Sequence, residues 1–340
     1  MKRLWARFSQ WEYWPFSVLY FPVYFYYLYL AVKTRSLFFF TASNPSIEFG
    51  GMFGEKKTDI YELIPDQYLP ATFLIPHGER SLVLAKAKDL GYPCIAKPNI
   101  GERGVWVEKI DNEEQLRKYA ENCPADFLLQ EFVTHPLELG IFYVRFPGAD
   151  SGKITSIVRK DFLKVVGDGK STVQDLLMTN ERALLTANLS SPFLRAHGDD
   201  IPSKGETVLI EPIGNHCRGT RFLSDQKQIN EELSKAIDSI AQKISGFHFG
   251  RFDLRCPSYK HLVNLQQVKI LELNGAGAEP GHIYQPGFSL FKAYRIILWH
   301  LKQLATISLE NHKKGVPYWN FKKGYEKWRL HNKYNRILAG

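Results

Sequence analysis

Cysteine is scarce in this chain, and the four that occur are far apart: Cys94, Cys123, Cys217 and Cys256. They form no CxxC pair and no zinc-ligand spacing, so the sequence indicates neither a disulfide framework nor a structural zinc site. Scattered cysteines are typical of free, mostly buried thiols in a reducing compartment. Only Cys217 falls in a polar, glycine-containing loop, and we do not expect it to be a nucleophile.

Other familiar signatures are also missing from the sequence. It has no phosphate-loop lysine motif, no RNA-binding aromatic motif, no concentrated basic helix and no internal repeat. Its formal charge of +9 nevertheless suits an anionic partner, such as a nucleotide, a phosphorylated substrate or an anionic membrane surface. Nucleic acid is not expected, because no motif for binding it is present. With 340 residues the chain is long enough for two or three compact lobes.

Charge is absent from residues 15–32, PFSVLYFPVYFYYLYLAV, although basic residues lie on both sides. No small-residue cleavage site follows, so the segment does not resemble a secretory signal. Its 18 residues are few for a membrane-spanning helix, which needs about 20, and tyrosine prefers the headgroup region. We predict that residues 1–70 form an aromatic leader whose segment 15–32 lies on or dips into a membrane interface. The alternatives are an aromatic helical hairpin packed on the chain's own core or on a partner, and a true membrane span.

From about Ser81 the pattern changes to helices and strands in alternation. SLVLAKAKDLG predicts a helix that ends at Gly91. Asp111, with Glu114 three residues later, predicts a capping box at the start of the next helix. TVQDLLMTNERALL predicts one further helix, and apolar runs such as DFLLQEFV predict buried strands. The fold class is therefore α/β.

The stretch GRFDLRC, followed by LELN, predicts two strands that pair as a hairpin around the loop at 256–264. Residues i and i+2 of a strand point to the same face, so this hairpin would present four polar side chains together: Arg251, Asp253, Glu272 and Asn274. Carboxylate and amide oxygens are the ligands that Mg²⁺ takes, usually with nucleotide phosphates completing its shell. The hairpin is therefore a candidate magnesium site.

Two further stretches carry side chains suited to a nucleotide. Lys97 ends the apolar strand CIAK and precedes the glycine-containing loop NIGERG, where a lysine can hold phosphate oxygens. Glu131 ends one strand and Glu138 begins another, so strand-end backbone and a carboxylate are available for a base and a ribose.

The order of these motifs, a lysine and glycine loop, QEFV with a glutamate seven residues later, GRFD and LELN, resembles that of the ATP-grasp superfamily over about residues 69–309. D-alanine–D-alanine ligase, the glutathione-forming ligases and cyanophycin synthetase are its most similar members. The resemblance implies two α/β lobes that clasp ATP, a small lobe at 71–135 and a large lobe at 136–310, followed by a basic aromatic tail at 311–340.

The resemblance also implies roles for single residues. ATP would be held by Lys97, the flap Gly101–Gly104, Glu131 and Val133 at the adenine, Glu138 at the ribose, and a second lysine that is either Lys160 or Lys164, with Arg159 as an outside candidate. Mg²⁺, for which Mn²⁺ could substitute, would be held by Asp253, Glu272 and Asn274. Arg251 would stabilise the transferred phosphoryl group together with Lys97 and Lys164. The acyl acceptor would contact Asn215, Arg218 and Thr220.

The family resemblance implies a ligase that joins a carboxylate to an amine, or to a thiol, through an acylphosphate. A lipid-linked or amphiphilic substrate at the cytoplasmic face of the membrane would suit the leader. The alternative is a phosphotransferase of the same superfamily that stops after the first step. Two departures from the family stand out. The aromatic leader stands where these ligases usually carry an N-terminal domain, and the exit GAGAEPGHIY adds Glu279, His282 and Tyr284 near the metal, where they would either shape substrate recognition or lie in a solvated loop.

Overall fold

The computed structural model describes residues 11–102, 104–186 and 191–339, whose strands form three antiparallel sheets. The strands are β1 (Thr72–Ile75), β2 (Cys94–Pro98), β3 (Glu108–Ile110), β4 (Phe127–Glu131), β5 (Leu137–Val144), β6 (Lys153–Asp161), β7 (Lys164–Val166), β8 (Thr207–Leu209), β9 (Arg221–Ser224), β10 (Phe249–Cys256) and β11 (Lys269–Asn274). The helices are α1 (Phe16–Thr34), α2 (Lys57–Tyr61), α3 (Val83–Leu90), α4 (Glu113–Asn122), α5 (Val173–Met178), α6 (Glu181–Thr186), α7 (Pro192–His197), α8 (Glu231–Lys243), α9 (Tyr259–Val263), α10 (Leu290–Lys313) and α11 (Phe321–Ala339). Short 3₁₀ turns lie at Trp11–Tyr13, Phe39–Ala42, Glu48–Gly51, Asp66–Tyr68, His77–Leu82, His216–Arg218, Gln226–Gln228 and Gly281–Tyr284.

The small lobe is a four-stranded sheet in the order β1-β4-β2-β3. Helices α3 and α4 cover it, and their apolar stripes pack with the sheet into one core. The N-cap of helix α4 lies one residue later than predicted. Asn112, not Asp111, is the N-cap, and its side chain accepts a hydrogen bond from Gln115 N at 3.0 Å.

The large lobe is a five-stranded sheet in the order β11-β10-β5-β6-β9. Strand β10 shows how its two faces are divided, because apolar and charged residues alternate along it. Phe252 and Leu254 enter the core that helix α8 covers, while Arg251, Asp253 and Arg255 project on the opposite face. That opposite face is the floor of the cleft described below.

A smaller layer interrupts the large lobe between β6 and β9. It consists of the ribbon β7-β8 and helices α5 to α7, which share a satellite core. The single helix predicted from TVQDLLMTNERALL is two helices, α5 and α6, because the chain turns at Thr179 and Asn180 between them.

Of the predicted leader at 1–70, residues 1–10 lie outside the described part of the chain. Residues 36–70 are built into the large lobe, as the buried Asn44 shows. Its side chain donates to Phe249 O at 2.8 Å and to Gly50 O at 3.0 Å, and accepts from His248 N and Phe249 N. Gly51 lies against Gly275 so closely that a Cβ atom on either would overlap the other backbone. Residues 36–70 are therefore part of the scaffold of the cleft.

Helix α1 contains the uncharged segment and continues through Pro22. One face of the helix, including Leu30 and Ala31, is buried with residues of α10 such as Leu304. The opposite face exposes apolar side chains at helical spacing: Val18, Phe21, Phe25, Leu28 and Val32. Among the described residues, no helix combines the length and the apolar character needed to cross a membrane.

The basic tail forms helix α11, which connects the two lobes. Trp106 of the small lobe donates to Leu338 O at 2.8 Å, and Lys327 donates to Gly54 O at 2.7 Å. The tail is thus held against the edge of the cleft.

Candidate active site

A cavity of about 480 Å³ lies between the small sheet and the charged face of the large sheet. Both lobes line it, and so do the segments before β1 and after β11. Its volume is in the range of small-molecule sites, which are typically several hundred cubic ångströms. It is therefore the candidate active site.

The two strands at the floor of the cavity, β10 and β11, pair antiparallel, although helix α9 lies in the connection that was predicted to be a loop. Asp253 pairs directly with Glu272, and Arg251 pairs directly with Asn274. All four side chains line the cavity. The prediction that these strands form a hairpin with one polar face is confirmed.

Asp253 is the most constrained of the floor residues. Its Oδ2 accepts from Arg251 at 2.8 and 3.1 Å and from Asn274 Nδ2 at 3.1 Å, while Oδ1 lies 3.1 Å from Lys160 Nζ. Burial alone would raise the pKa of Asp253, but the charges of Arg251 and Lys160 outweigh burial and hold the pKa below its ordinary value. The carboxylate is therefore ionised.

Lys160 lies between two buried carboxylates. Its ammonium is 3.0 Å from Glu138 Oε1 and 3.1 Å from Asp253 Oδ1. Burial opposes its charge, but the two carboxylates outweigh burial and raise its pKa. Arg255 completes the row by donating to Glu138 Oε2 at 2.6 Å. Glu138, predicted at the ribose, thus lies in this ionic row along the floor.

The structure separates the alternatives for the second lysine. Lys160 lines the cavity with its side chain 8% exposed, whereas the side chain of Lys164 is 47% exposed and pairs with Asp161 at 3.2 Å. Arg159 is also turned outward and pairs with Asp225. The structure does not bring Lys164 together with the other predicted catalytic residues, because β6 ends at Asp161 and Lys164 begins the separate ribbon β7-β8.

Lys97 reaches from the small lobe to the large one. Its ammonium donates to Gln130 Oε1 at 2.8 Å, to Tyr61 OH at 2.9 Å and to Leu271 O of β11 at 3.2 Å. Burial lowers its pKa to about 8, although Glu272 and Glu138 oppose that shift. It lines the cavity, as a lysine that holds phosphate must.

The predicted flap and the predicted acceptor loop contact each other. Gly101 and Gly104 line the cavity, and Gly101 O accepts from Lys57 Nζ at 2.9 Å. Gly104 has a φ of 74°, and a Cβ atom there would lie 2.9 Å from the amide nitrogen of Asn215. Arg218 donates to Val107 O at 2.8 Å. The two loops thus meet over the cleft.

The remaining predicted residues differ in their access to the cavity. Glu131 and Val133 line it where the chain passes from β4 to β5, and Asn215 lines it from the loop after β8. Thr220 is fully buried and donates to Ile213 O, so its hydroxyl is used within its own loop. His282 is likewise buried against Ser156, and burial lowers its pKa to about 4.

The floor of the cavity carries oxygen ligands of the kind that Mg²⁺ takes. Asp253 Oδ1 has the Lys160 ammonium as its ionic partner at 3.1 Å, and the carboxylate of Glu272 and the amide of Asn274 lie on the same face. Among the described residues, no three His, Cys, Asp or Glu side chains form a metal cage by themselves. Two carboxylates and an amide suit Mg²⁺, which usually keeps waters and takes substrate phosphates. The residues present therefore fit the ion as part of a metal–nucleotide complex.

Several residues of the cavity were not singled out from the sequence. Arg255 could have been found, because it continues the alternation of Arg251 and Asp253. Lys57 and Glu55 line the cavity from the segment assigned to the leader. Residues of the 3₁₀ turn Trp11–Tyr13 and the start of α1 line it as well. No local pattern indicates their position, because their partners are far away in the sequence.

No family model matches the chain, and neither does any curated protein. Solved structures that align with it include a bifunctional glutathione synthetase from Pasteurella multocida, with a TM-score of 0.38 and 16% identity over 72% of this chain and 35% of that one. D-alanine–D-alanine ligase from Bacillus anthracis aligns with a TM-score of 0.44 and 12% identity over 79% of this chain and 72% of that one. VanG D-Ala:D-Ser ligase from Enterococcus faecalis aligns with a TM-score of 0.44 and 14% identity over 77% of this chain and 64% of that one.

These structures include two of the kinds of ligase that the sequence resembles. The chain spans about a third of the length of the glutathione synthetase, 35%. At TM-scores this low the alignments do not by themselves establish a common fold, so the function has to be argued from the residues of the cleft.

Proposed function

We propose that the chain is an ATP- and Mg²⁺-dependent ligase that joins a carboxylate to an amine, or to a thiol, through an acylphosphate. The observation that carries the proposal is the meeting of Lys160, Arg251 and Asp253 on the floor of a cleft between two lobes. Phosphoryl transfer needs in-line positioning and neutralisation of negative charge more than covalent help from the protein. Buried cations held by fixed carboxylates supply both.

Each charged residue has a part in this proposal. Lys97 and Lys160 hold phosphate oxygens from the two lobes, and Arg251 faces the phosphoryl group as it leaves ATP. Because the cations are already paired with carboxylates, they are oriented before the nucleotide arrives. The adenine would lie in the apolar part of the cavity, which Ile95, Phe132, Val133 and Ile213 line.

Asp253, Glu272 and Asn274 would hold the magnesium ion on the floor. When bound, Mg²⁺ would supply positive charge that neutralises the phosphates of ATP. The protein's own contribution there is to keep Asp253 ionised, and Arg251 and Lys160 do so.

Hydroxylamine provides a test that does not require the natural amine. The full chain is incubated with Mg·ATP, hydroxylamine and a panel of carboxylic acids, and both ADP and hydroxamate are measured. A ligase of this kind forms both products only with an accepted acid, because hydroxylamine traps the acylphosphate. Asp253→Asn should abolish both, whereas the exposed Asp59→Asn should leave them unchanged. A stable phosphorylated acceptor without hydroxamate would instead indicate a phosphotransferase.

We also propose that the protein works at the cytoplasmic face of a membrane, on an amphiphilic or lipid-linked substrate. The exposed apolar face of α1 supports this, since Phe21 is 62% exposed, Phe25 63% and Val32 79%. Lys33 and Arg35 follow at the end of the helix and are exposed. Aromatic side chains next to basic ones suit the headgroup region of an anionic membrane.

A further inference from the structure

Part of the cavity is lined by residues of the N-terminal segment and of large-lobe loops, and this part is here called the acceptor chamber. The N-terminal segment forms one wall of it, and loops of the large lobe form the other. Its residues are Glu12, Trp14, Phe16, His216, Glu279 and Tyr284, all of which line the cavity.

The N-terminal wall is firmly attached to the large lobe. Trp11 Nε1 donates to Phe288 O at 2.6 Å, and the Trp11 ring lies 5.8 Å from the ring of Tyr284. Glu12 pairs with Arg182 at 3.5 Å, and Arg182 also donates to Thr220 O at 2.7 Å. The segment is therefore a built part of the site.

Two polar atoms of the acceptor chamber have no hydrogen-bond partner among the described residues: Glu279 Oε1 and His216 Nε2. Tyr284 lies between them, since its hydroxyl hydrogen-bonds to the Glu279 carboxyl and its ring is 5.5 Å from the His216 ring. Burial lowers the pKa of His216 to about 3, so its imidazole is neutral. The Glu12 carboxylate is already paired with the Arg182 guanidinium. Among the described residues, Glu279 is thus the carboxyl group of the chamber that has no cationic partner for its side chain.

An ionised carboxylate accepts hydrogen bonds only, and a buried one needs a donor or a positive charge. A primary ammonium group supplies both, and aromatic faces attract it further. Arg251 donates to Glu279 O at 3.3 Å, which places this residue beside the guanidinium that faces the phosphoryl group. The chamber is therefore adjacent to the position of an acylphosphate.

We propose that the acceptor chamber binds the amine substrate as a primary ammonium group on an apolar or aromatic body, and that Glu279 takes a proton from it. This assignment rests on the proposed ligase function. The ammonium transfers one proton to the Glu279 carboxylate and becomes a free amine. The amine nitrogen then forms the C–N bond at the acyl carbon, the bond from that carbon to the phosphate oxygen breaks, and the phosphate leaves with the electron pair and the second amine proton.

Binding of simple probes to the nucleotide-free protein tests the chamber directly. Phenethylammonium, neutral 2-phenylethanol and anionic 3-phenylpropionate are compared by calorimetry with the full chain. We expect the ammonium to bind most tightly. Glu279→Gln keeps the shape of the side chain but loses a charged hydrogen bond to the ammonium. It should therefore lower the affinity for phenethylammonium by about tenfold or more. Glu232→Gln, on the exposed surface of α8, is the matched control and should not change it.

The wild-type protein provides a second measurement that needs no variant. Burial raises the pKa of Glu279 to about 7. The groups that face it are Tyr284 on its own loop, Arg251 on β10, His216 on the opposite loop and Glu12 on the N-terminal wall. Binding of phenethylammonium should therefore be weaker at about pH 6 than at about pH 8.5, and Glu279→Gln should remove most of this difference.

The outcomes separate this inference from the proposed function. Preference for the anionic or the neutral probe, absence of ammonium binding, or equal binding by wild type and Glu279→Gln would overturn the assignment of the chamber. Binding of Mg·ATP is measured on the same samples. Absence of ammonium binding by the wild-type protein, with Mg·ATP binding retained, counts against the chamber alone. Absence of Mg·ATP binding by the wild type counts against the ligase.

Discussion

Lys160 Nζ lies 3.1 Å from Asp253 Oδ1, and both side chains are almost fully buried in the floor of the cleft. Neither charge has bulk water to stabilise it, so each depends on the other and on its remaining partners, Glu138 and Arg251. The floor is for this reason the part of the site where single substitutions should have the largest effects.

Replacing Lys160 should be far more costly than replacing Lys164. Lys160→Ala leaves two buried carboxylates without their shared cation, which should lower the free energy of unfolding by about 3–5 kcal/mol. Lys164→Ala removes only the ion pair between the exposed Lys164 and Asp161. It should change the free energy of unfolding by about 0.5 kcal/mol or less. Urea denaturation measures both. A larger loss for Lys164→Ala would contradict the arrangement described.

Glu272→Gln should raise the Mg²⁺ concentration needed for nucleotide binding. It removes one carboxylate opposite Asp253 while keeping the size of the side chain. We expect a shift of roughly tenfold or more, as is common when a metal site is weakened. The measurement is the rise in melting temperature with ATP over a Mg²⁺ titration, and exposed Glu62→Gln is the control. An unchanged Mg²⁺ requirement would remove Glu272 from the metal site.

The lowered pKa of Lys97 predicts how the free energy of unfolding changes with pH. Burial lowers its pKa from an ordinary 10.5 to about 8 in the folded chain. Between these values the unfolded chain binds more protons than the folded one, so folding becomes more favourable as the pH rises from about 8 to about 10. Below pH 8 the charged ammonium of Lys97 lowers the free energy of unfolding by its full amount, on the order of 3 kcal/mol.

The comparison with Lys97→Met isolates that contribution, because other titrating groups cancel. Wild type minus variant free energy of unfolding, from urea denaturation at several pH values, should increase over this range. A flat difference would mean that Lys97 keeps an ordinary pKa in the folded protein.

Asn44→Ala should destabilise the protein by several kilocalories per mole. Its buried amide bonds to backbone groups of the loop at Gly50 and of β10 at Phe249. Each buried backbone group left unpaired costs about 1–3 kcal/mol. Exposed Asn122→Ala, which loses a bond to Lys118 O, should cost much less. Equal midpoints of urea unfolding for the two variants would show that the loop is not held by Asn44.

The exposed face of α1 should mediate binding to anionic vesicles. The double substitution Phe21→Ser and Phe25→Ser removes two exposed rings and should reduce sedimentation with vesicles that contain phosphatidylglycerol. Binding should also weaken with added salt, because Lys33 and Arg35 contribute charge. Leu74→Ser, an exposed apolar position on β1, is the control. Unchanged sedimentation of the double variant would argue against the membrane proposal.

The polar face of the hairpin could be predicted because it depends on local alternation. Arg251 and Asp253 share a face whatever surrounds them. The connection through α9 returns the chain antiparallel, which brings Glu272 and Asn274 opposite them. Alternation could not separate Lys160 from Lys164. The strand ends between them, and the chain enters a different sheet.

The position of the N-terminal segment could not be predicted from the sequence for a different reason. Its aromatic and apolar residues indicated only that it would be buried or lie at an interface. What holds Trp11 in place is Phe288 O, and what holds Glu12 is Arg182. Such contacts leave no periodic pattern in either partner.

The hydrogen bond from Trp11 to Phe288 joins residues 277 positions apart. During synthesis the indole therefore leaves the ribosome long before its acceptor exists, together with the aromatic helix that follows it. Contacts between residues so far apart in the sequence form slowly, because closing the intervening loop costs entropy before the contact is gained. The N-terminal wall of the cleft is thus synthesised early and docks late. Until it docks, its apolar surface is exposed to a chaperone or to a lipid surface.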